Sequence, residues 1–195
     1  MLELRDWKGA ASLPLTPGTA FGDDSMTYLA RAIGAAHSGD AQQAHNNVTE
    51  IESIYKQVTA KKLPFADWVD QERKEAEAWS DHAEGKNEQA IALLRGIADK
   101  QKEGVFGVTG DLPAREMLAD MLLEMNRPDD ALVEYETQLK INPNRFNSLY
   151  GAGRSAEIAK QSEKAAAYFQ QLVKVCAGSN SSRPELVYAR GFLSK

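Results

Sequence analysis

The chain has 195 residues, of which 43% are hydrophobic and 26% charged, an ordinary composition for a folded chain with a core. Its formal net charge of -5 argues against a general nucleic-acid binder, because phosphate-dominated affinity needs a basic stripe. No run of about 18 apolar residues is present, so no membrane span is expected.

Met1 to Ala20 lacks the basic start and continuous apolar centre of a secretory signal. Leu2 to Ala11 reads as the middle of a helical unit without a cap ahead of it, which suggests a natural chain extending upstream. Residues 1–24 are therefore taken as an irregular N-terminal arm. Pro14, Pro17 and Gly18 stop any helix begun at Leu2, and Gly22 to Ser25 offers N-cap candidates for the next. A helix is expected over Ser25 to Ser38, with Tyr28, Leu29, Ala32, Ile33 and Ala36 as its apolar stripe. Gly39-Asp40 makes a turn, and a second helix runs over Ala41 to Thr59 with Ala44, Val48, Ile51 and Tyr55 on one face.

Lys61 to Pro64 is a breaker, after which Phe65 to Glu84 reads as a long helix carrying Trp68, Ala76, Ala78 and Trp79. The charges of Asp67 to Glu77 have the spacing of interleaved helical ion pairs. Gly85 closes that helix and Asn87 caps one running to about Lys102, with Ala90, Leu93, Leu94 and Ile97 inward. A glycine-rich loop follows from Gly104 to Asp111, with Val105, Phe106 and Val108 as its apolar residues. It lacks the Lys-Ser/Thr ending of a phosphate loop. Helices over Pro113 to Met125, Pro128 to Lys140, Arg145 to Lys160 and Ser162 to Val175 come next. The polar Ser179 to Ser182 then leads to a short helix over Pro184 to Leu193, whose Leu186, Ala189 and Leu193 would cover the last pair.

Within Leu112 to Leu172 one pattern is written twice. Leu118, Ala119, Leu122, Ala131, Tyr135 and Pro143 have counterparts 34 residues later at Ala152, Gly153, Ala156, Ala165, Phe169 and Ala177. This period and these residue types resemble the tetratricopeptide (TPR) superfamily. In that superfamily the small residues (Ala119, Gly153, Ala131, Ala165) let two antiparallel helices approach, and the rings (Tyr135, Phe169) fill the gap beside them. The segment from Val108 to Ala119, continued by Asn142 to Phe146, is similar to the C-terminal part of a group of bacterial TPR proteins of largely unknown function, most of which are characterised only as interaction modules.

The turns test the repeat separately from the core positions. Five residues before Ala44, Ala90, Ala131 and Ala165 stand Gly39, Gly85, Asn126 and Lys160, three of which tolerate a left-handed backbone. Four helix pairs are therefore expected within residues 25–177, at about 25–59, 65–103, 112–143 and 145–176, followed by a covering helix in 183–195. The spacings of 46 and 41 between the first three alanines imply insertions of 12 and 7 residues over the 34-residue norm. The expected fold is all-α, a right-handed superhelical array of antiparallel helix pairs, or TPR-like α-solenoid.

The resemblance implies a non-catalytic protein-protein interaction module that holds a peptide or protein surface in a groove lined by the first helix of each pair. Carried over by position, that wall comprises Leu29, Ile33 and His37, then Glu75, Trp79 and His82, then Glu116, Asp120 and Glu124, then Tyr150 and Arg154. The expected partner-binding residues are His37, Trp79, His82, Phe106, Glu116, Asp120, Tyr150 and Arg154. The wall is aromatic and acidic, so a basic partner segment, or Arg115 or Arg154 from nearby, should offset the acidic row. Only Arg154 resembles the carboxylate-clamping residues of chaperone-tail receptors, which disfavours that role.

No catalytic residue, metal site or cofactor is expected. His37, His45 and His82 are not in ligand-spaced motifs, and no nucleophile sits in an elbow. Cys176 is the one cysteine and cannot form an intrachain disulfide, which leaves the compartment open. The alternative expectation is a structural segment of a longer chain, extending an upstream solenoid or pairing with itself as a homodimer, with no groove ligand. A small-ligand domain ranks below both.

Overall fold

The computed structural model describes residues 1–16, 21–101 and 112–194, and among them all regular structure is helical. A 3-10 turn at Leu2–Leu4 precedes α1 (Trp7–Ala11), α2 (Phe21–His37), α3 (Ala41–Ala60), α4 (Ala66–Ala83) and α5 (Asn87–Ala98). After these come α6 (Ala114–Glu124), α7 (Pro128–Ile141), α8 (Phe146–Ile158), α9 (Ser162–Val175) and α10 (Pro184–Leu193). The chain divides into two compact units, Met1–Ile97 and Ala98–Lys195.

One turn recurs at the helix ends that stand five residues ahead of the four alanines. Gly39, Gly85, Asn126 and Lys160 have φ of 79°, 81°, 57° and 61°, so all four positions found by counting back from the alanines are left-handed. At each, two amide donors close the helix onto its own carbonyls. Asp40 donates to Ala35 and Gly39 to Ala36; Lys86 to Asp81 and Gly85 to His82; Arg127 to Leu122 and Asn126 to Leu123; Gln161 to Ala156 and Lys160 to Glu157. This is the paired-bond ending that satisfies orphan carbonyls and reverses the chain sharply. Five residues on, Ala44, Ala90, Ala131 and Ala165 are fully buried.

In the first unit α2 packs against α1, α3 and α4, and α3 against α4. The N-terminal arm is thus part of the core. Ala10 is fully buried, and α1 lies so close to α2 at Gly34 that a Cβ there would stand 2.5 Å from the Trp7 carbonyl oxygen. Helix α2 begins at Phe21, ahead of the expected Ser25. Ser25 does not cap it: its hydroxyl is buried and donates to Glu72 Oε2. The α3 end repeats the left-handed ending at Lys62, φ 52°, where the sequence suggested only a breaker.

In the second unit α6 packs against α7 and α8, α7 against α8, and α8 against α9, with α10 laid on α9 and α8. Leu118, Ala119, Leu122, Tyr135, Ala152, Ala156, Phe169 and Leu172 form its fully buried interior. Leu186 and Ala189 of α10 are fully buried as expected, while Leu193 is half-buried.

Candidate functional site

Each unit carries its own cluster of the residues expected to bind. In the first, α2 and α4 bring His37, Trp79 and His82 together, and α1 adds Trp7. Trp7 lies flat on His37, with ring centroids 3.9 Å apart and planes 10° from parallel. On the imidazole's other contact, Trp79 sits 4.2 Å away, and His82 meets Trp79 edge-on at 5.8 Å. His82 Nδ1 is 2.8 Å from Asn87 Oδ1, so the following helix holds its ring. Trp79 is only 2% exposed, which makes it a packing residue, and its buried indole N–H has no hydrogen-bond partner. His37, His82 and Trp7 are half-buried and are the accessible parts of this cluster.

Beneath them α4 buries two carboxylates that a surface reading of its charges misses. Glu72 and Glu75 are both fully buried, and Gln71 Nε2 donates to Glu75 Oε1 at 2.9 Å. The outer charges do form the expected ion pairs. Arg73 joins Asp70, Glu77 and Glu52, and Lys74 joins Asp70. Burial alone would push the Asp70 carboxyl up, but the Lys74 and Arg73 hydrogen bonds hold it below its ordinary range.

In the second unit the acidic row of α6 is largely answered from within. Glu116 is 1% exposed, gripped by Arg145 Nε at 2.7 Å and Nη2 at 2.8 Å, and it also accepts from the Ser148 hydroxyl. Burial pushes its carboxyl above the ordinary value, with Arg145 opposing. The offsetting cation is therefore Arg145, not the Arg115 or Arg154 expected from the sequence. Arg115 goes instead to Glu134 and Asp99. Asp120 accepts from the hydroxyl of the buried Tyr135, and Glu124 is exposed.

Tyr150 and Arg154 of α8 face α10. Tyr150 meets Tyr188 edge-on at 6.1 Å and Phe169 at 6.2 Å. The Arg154 guanidinium lies 4.5 Å over the Tyr188 ring, donates to the Tyr188 hydroxyl and pairs with Glu157. That hydroxyl in turn donates to Glu157 at 2.7 Å, and burial together with Glu157 pushes its pKa above the ordinary phenol value. Phe106, the remaining expected site residue, lies outside the described residues.

Among the described residues no group of three or more His, Cys, Asp or Glu is placed to hold a metal ion, and no helix is long and apolar enough to cross a membrane. In the first unit the half-buried histidines packed against indoles, and in the second the half-buried Asp120 and an Arg–Glu pair holding a phenol, are each suited to contact through aromatic faces and short polar bonds. Comparison of the chain with protein families, with curated proteins and with solved structures returns no match.

Proposed function

We propose that these helix pairs are TPR-like repeats of the right-handed superhelical kind, and that the chain is a non-catalytic module that binds a peptide or protein surface. The observation that carries this is the recurrence of one left-handed turn five residues ahead of a buried alanine, at Gly39, Gly85, Asn126 and Lys160 and also at Arg5 ahead of Ala10. Packing of first helix on first helix supports it within each unit, α2 on α4 and α6 on α8, as an array that stacks neighbours requires. Each unit thereby presents a first-helix face of its own, with His37 and His82 in the first and Asp120, Tyr150 and Arg154 in the second keeping partial exposure.

Affinity capture with the full chain tests the reading. His82→Ala and Asp120→Ala, made separately on first helices, are compared with Val133→Ser on α7, where the side chain is 60% exposed. Each first-helix change is expected to cut recovery of the retained protein by about tenfold, the loss of one anchoring contact, while Val133→Ser leaves it unchanged. Equal recovery of the same proteins by all three would remove the groove from consideration.

A further inference from the structure

We infer that the wall made by α8 and α9 is a helix-docking site whose resident occupant is the chain's own α10, and that it also accepts a partner helix of the same chemistry. The seat is built from both helices. Leu186 and Ala189 press fully buried into it, and Phe192 lays its ring 5.0 Å from that of Phe169. Tyr188 adds a polar reading: although it stays 38% exposed, Arg154 lies over one face of its ring, Tyr150 meets it edge-on, and its hydroxyl accepts from Arg154 and donates to Glu157. An apolar ring alone would leave that Arg–Glu pair without the phenol oxygen between them.

The occupant defines what the seat takes. In α10, Leu186, Ala189 and Phe192 follow at intervals of three, the spacing of one face of a helix, and Tyr188 stands on the flank of that face, four residues before Phe192. A competing partner is thus an amphipathic helix with a tyrosine followed four residues later by a second aromatic. α10 is also suited to leave. It is reached through residues 176–183, where Gly178 is left-handed at φ 82° and Ser179, Asn180 and Ser182 are exposed. Its outer face shows Val187 at 58% exposure, and its described helix contacts are with α9 and α8. The tether at its start is Arg183, which stacks 3.8 Å over Phe146 and donates to Asn147 Oδ1 at 2.8 Å. Because Tyr150 and Arg154 belong to both the seat and the proposed binding face, docking of α10 and of a partner would exclude one another in the second unit. That exclusion rests on the interaction-module reading; the docking itself does not.

The test uses the full chain and a labelled synthetic peptide of residues 183–194. Leu186→Asp in the protein places a charge where α10 is buried and so should vacate the seat. The peptide is expected to bind this variant about tenfold or more tighter than wild type, and to lose that gain when its own tyrosine is replaced by alanine. Equal or absent binding to a variant that keeps its helical circular dichroism would overturn the docking site. Should Leu186→Asp fail to fold, amide exchange on wild type decides. The α10 amides must exchange faster than those of α9; exchange of both only at the global unfolding rate refutes a displaceable helix. Peptide binding as expected, with no difference among the capture variants above, would leave the docking site standing and remove only the module reading.

Discussion

Gly153 of α8 lies directly beneath the ring of Phe169 in α9: a Cβ at that position would stand 2.5 Å from Cε1 and 2.7 Å from Cδ1. No rotamer of a fully buried ring escapes such a contact without moving its neighbours. Gly153→Ala is therefore expected to destabilise the protein by about 1–3 kcal/mol through overpacking. Gly96 supplies the opposite case, since it is helical and a Cβ there meets nothing within 4 Å. Gly96→Ala should raise stability by about 0.5–1 kcal/mol through lower unfolded-chain entropy. Urea unfolding of the two variants checks both signs; a harmless Gly153→Ala would mean that the helices do not approach as described.

Lys160 holds a left-handed backbone, φ 61°, despite carrying a Cβ, and its side chain is exposed. Replacing it with glycine removes the local clash without touching the core, so Lys160→Gly should stabilise by about 0.5–1 kcal/mol. Asn126→Gly should gain less, because asparagine tolerates this region. Thermal unfolding midpoints that fall in both variants would contradict the turn geometry.

The grip of Arg145 on Glu116 predicts strong asymmetry between breaking and replacing the pair. Arg145→Ala strands a carboxylate that is 1% exposed and should cost about 3–5 kcal/mol. Replacing both partners, Glu116→Leu with Arg145→Met, should recover most of that loss, since apolar side chains leave no buried charge behind. A double variant as unstable as Arg145→Ala alone would show that Ser148 and the backbone, not charge stranding, set the cost.

Asp70 gives a pH signature. Its folded-state carboxyl titrates below its ordinary value of 3.8, so the folded chain binds that proton less readily than the unfolded one. The contribution is present above the ordinary value and disappears as pH falls through the lower folded value. Asp70→Asn should thus destabilise by about 0.5–1 kcal/mol near neutrality, a figure kept small by partial exposure, and by distinctly less at a pH below the ordinary carboxyl value. Chemical denaturation at the two pH values reads the difference; a constant penalty would point to packing instead of charge.

The helices and their turns were legible because their causes are local. A left-handed ending favours glycine or asparagine, and a close crossing favours alanine, so Gly39, Gly85, Asn126 and the four alanines declare themselves without any partner. Lys160 was found only through its spacing, since its residue type argues against its conformation. What the sequence hid lies in contacts across the fold. Ser25 has the look of a helix cap, yet a buried carboxylate 47 residues away claims its hydroxyl. Glu72 sits on the stripe of Val69, Ala76 and Trp79, and its place in that 3–4 spacing was the available sign that it would be buried among them. Trp7 gave no such sign, because its stacking on His37 depends on how α1 lies on α2. Arg145 likewise belongs to Glu116 through a contact 29 residues long that no short-range rule selects.

The left-handed endings also bear on how the chain finds its structure. Each closes on carbonyls of its own helix, and nearly every helix then meets the one just before or just after it, so most of the native topology is assembled from short sequence separations. Low contact order of this kind speeds the search, because little loop entropy is lost before contacts begin to form. Collapse can start as soon as two successive helices have emerged from synthesis. The distant bonds, Ser25 to Glu72 and Arg145 to Glu116, span 47 and 29 residues and need the helices that carry them to have come together first.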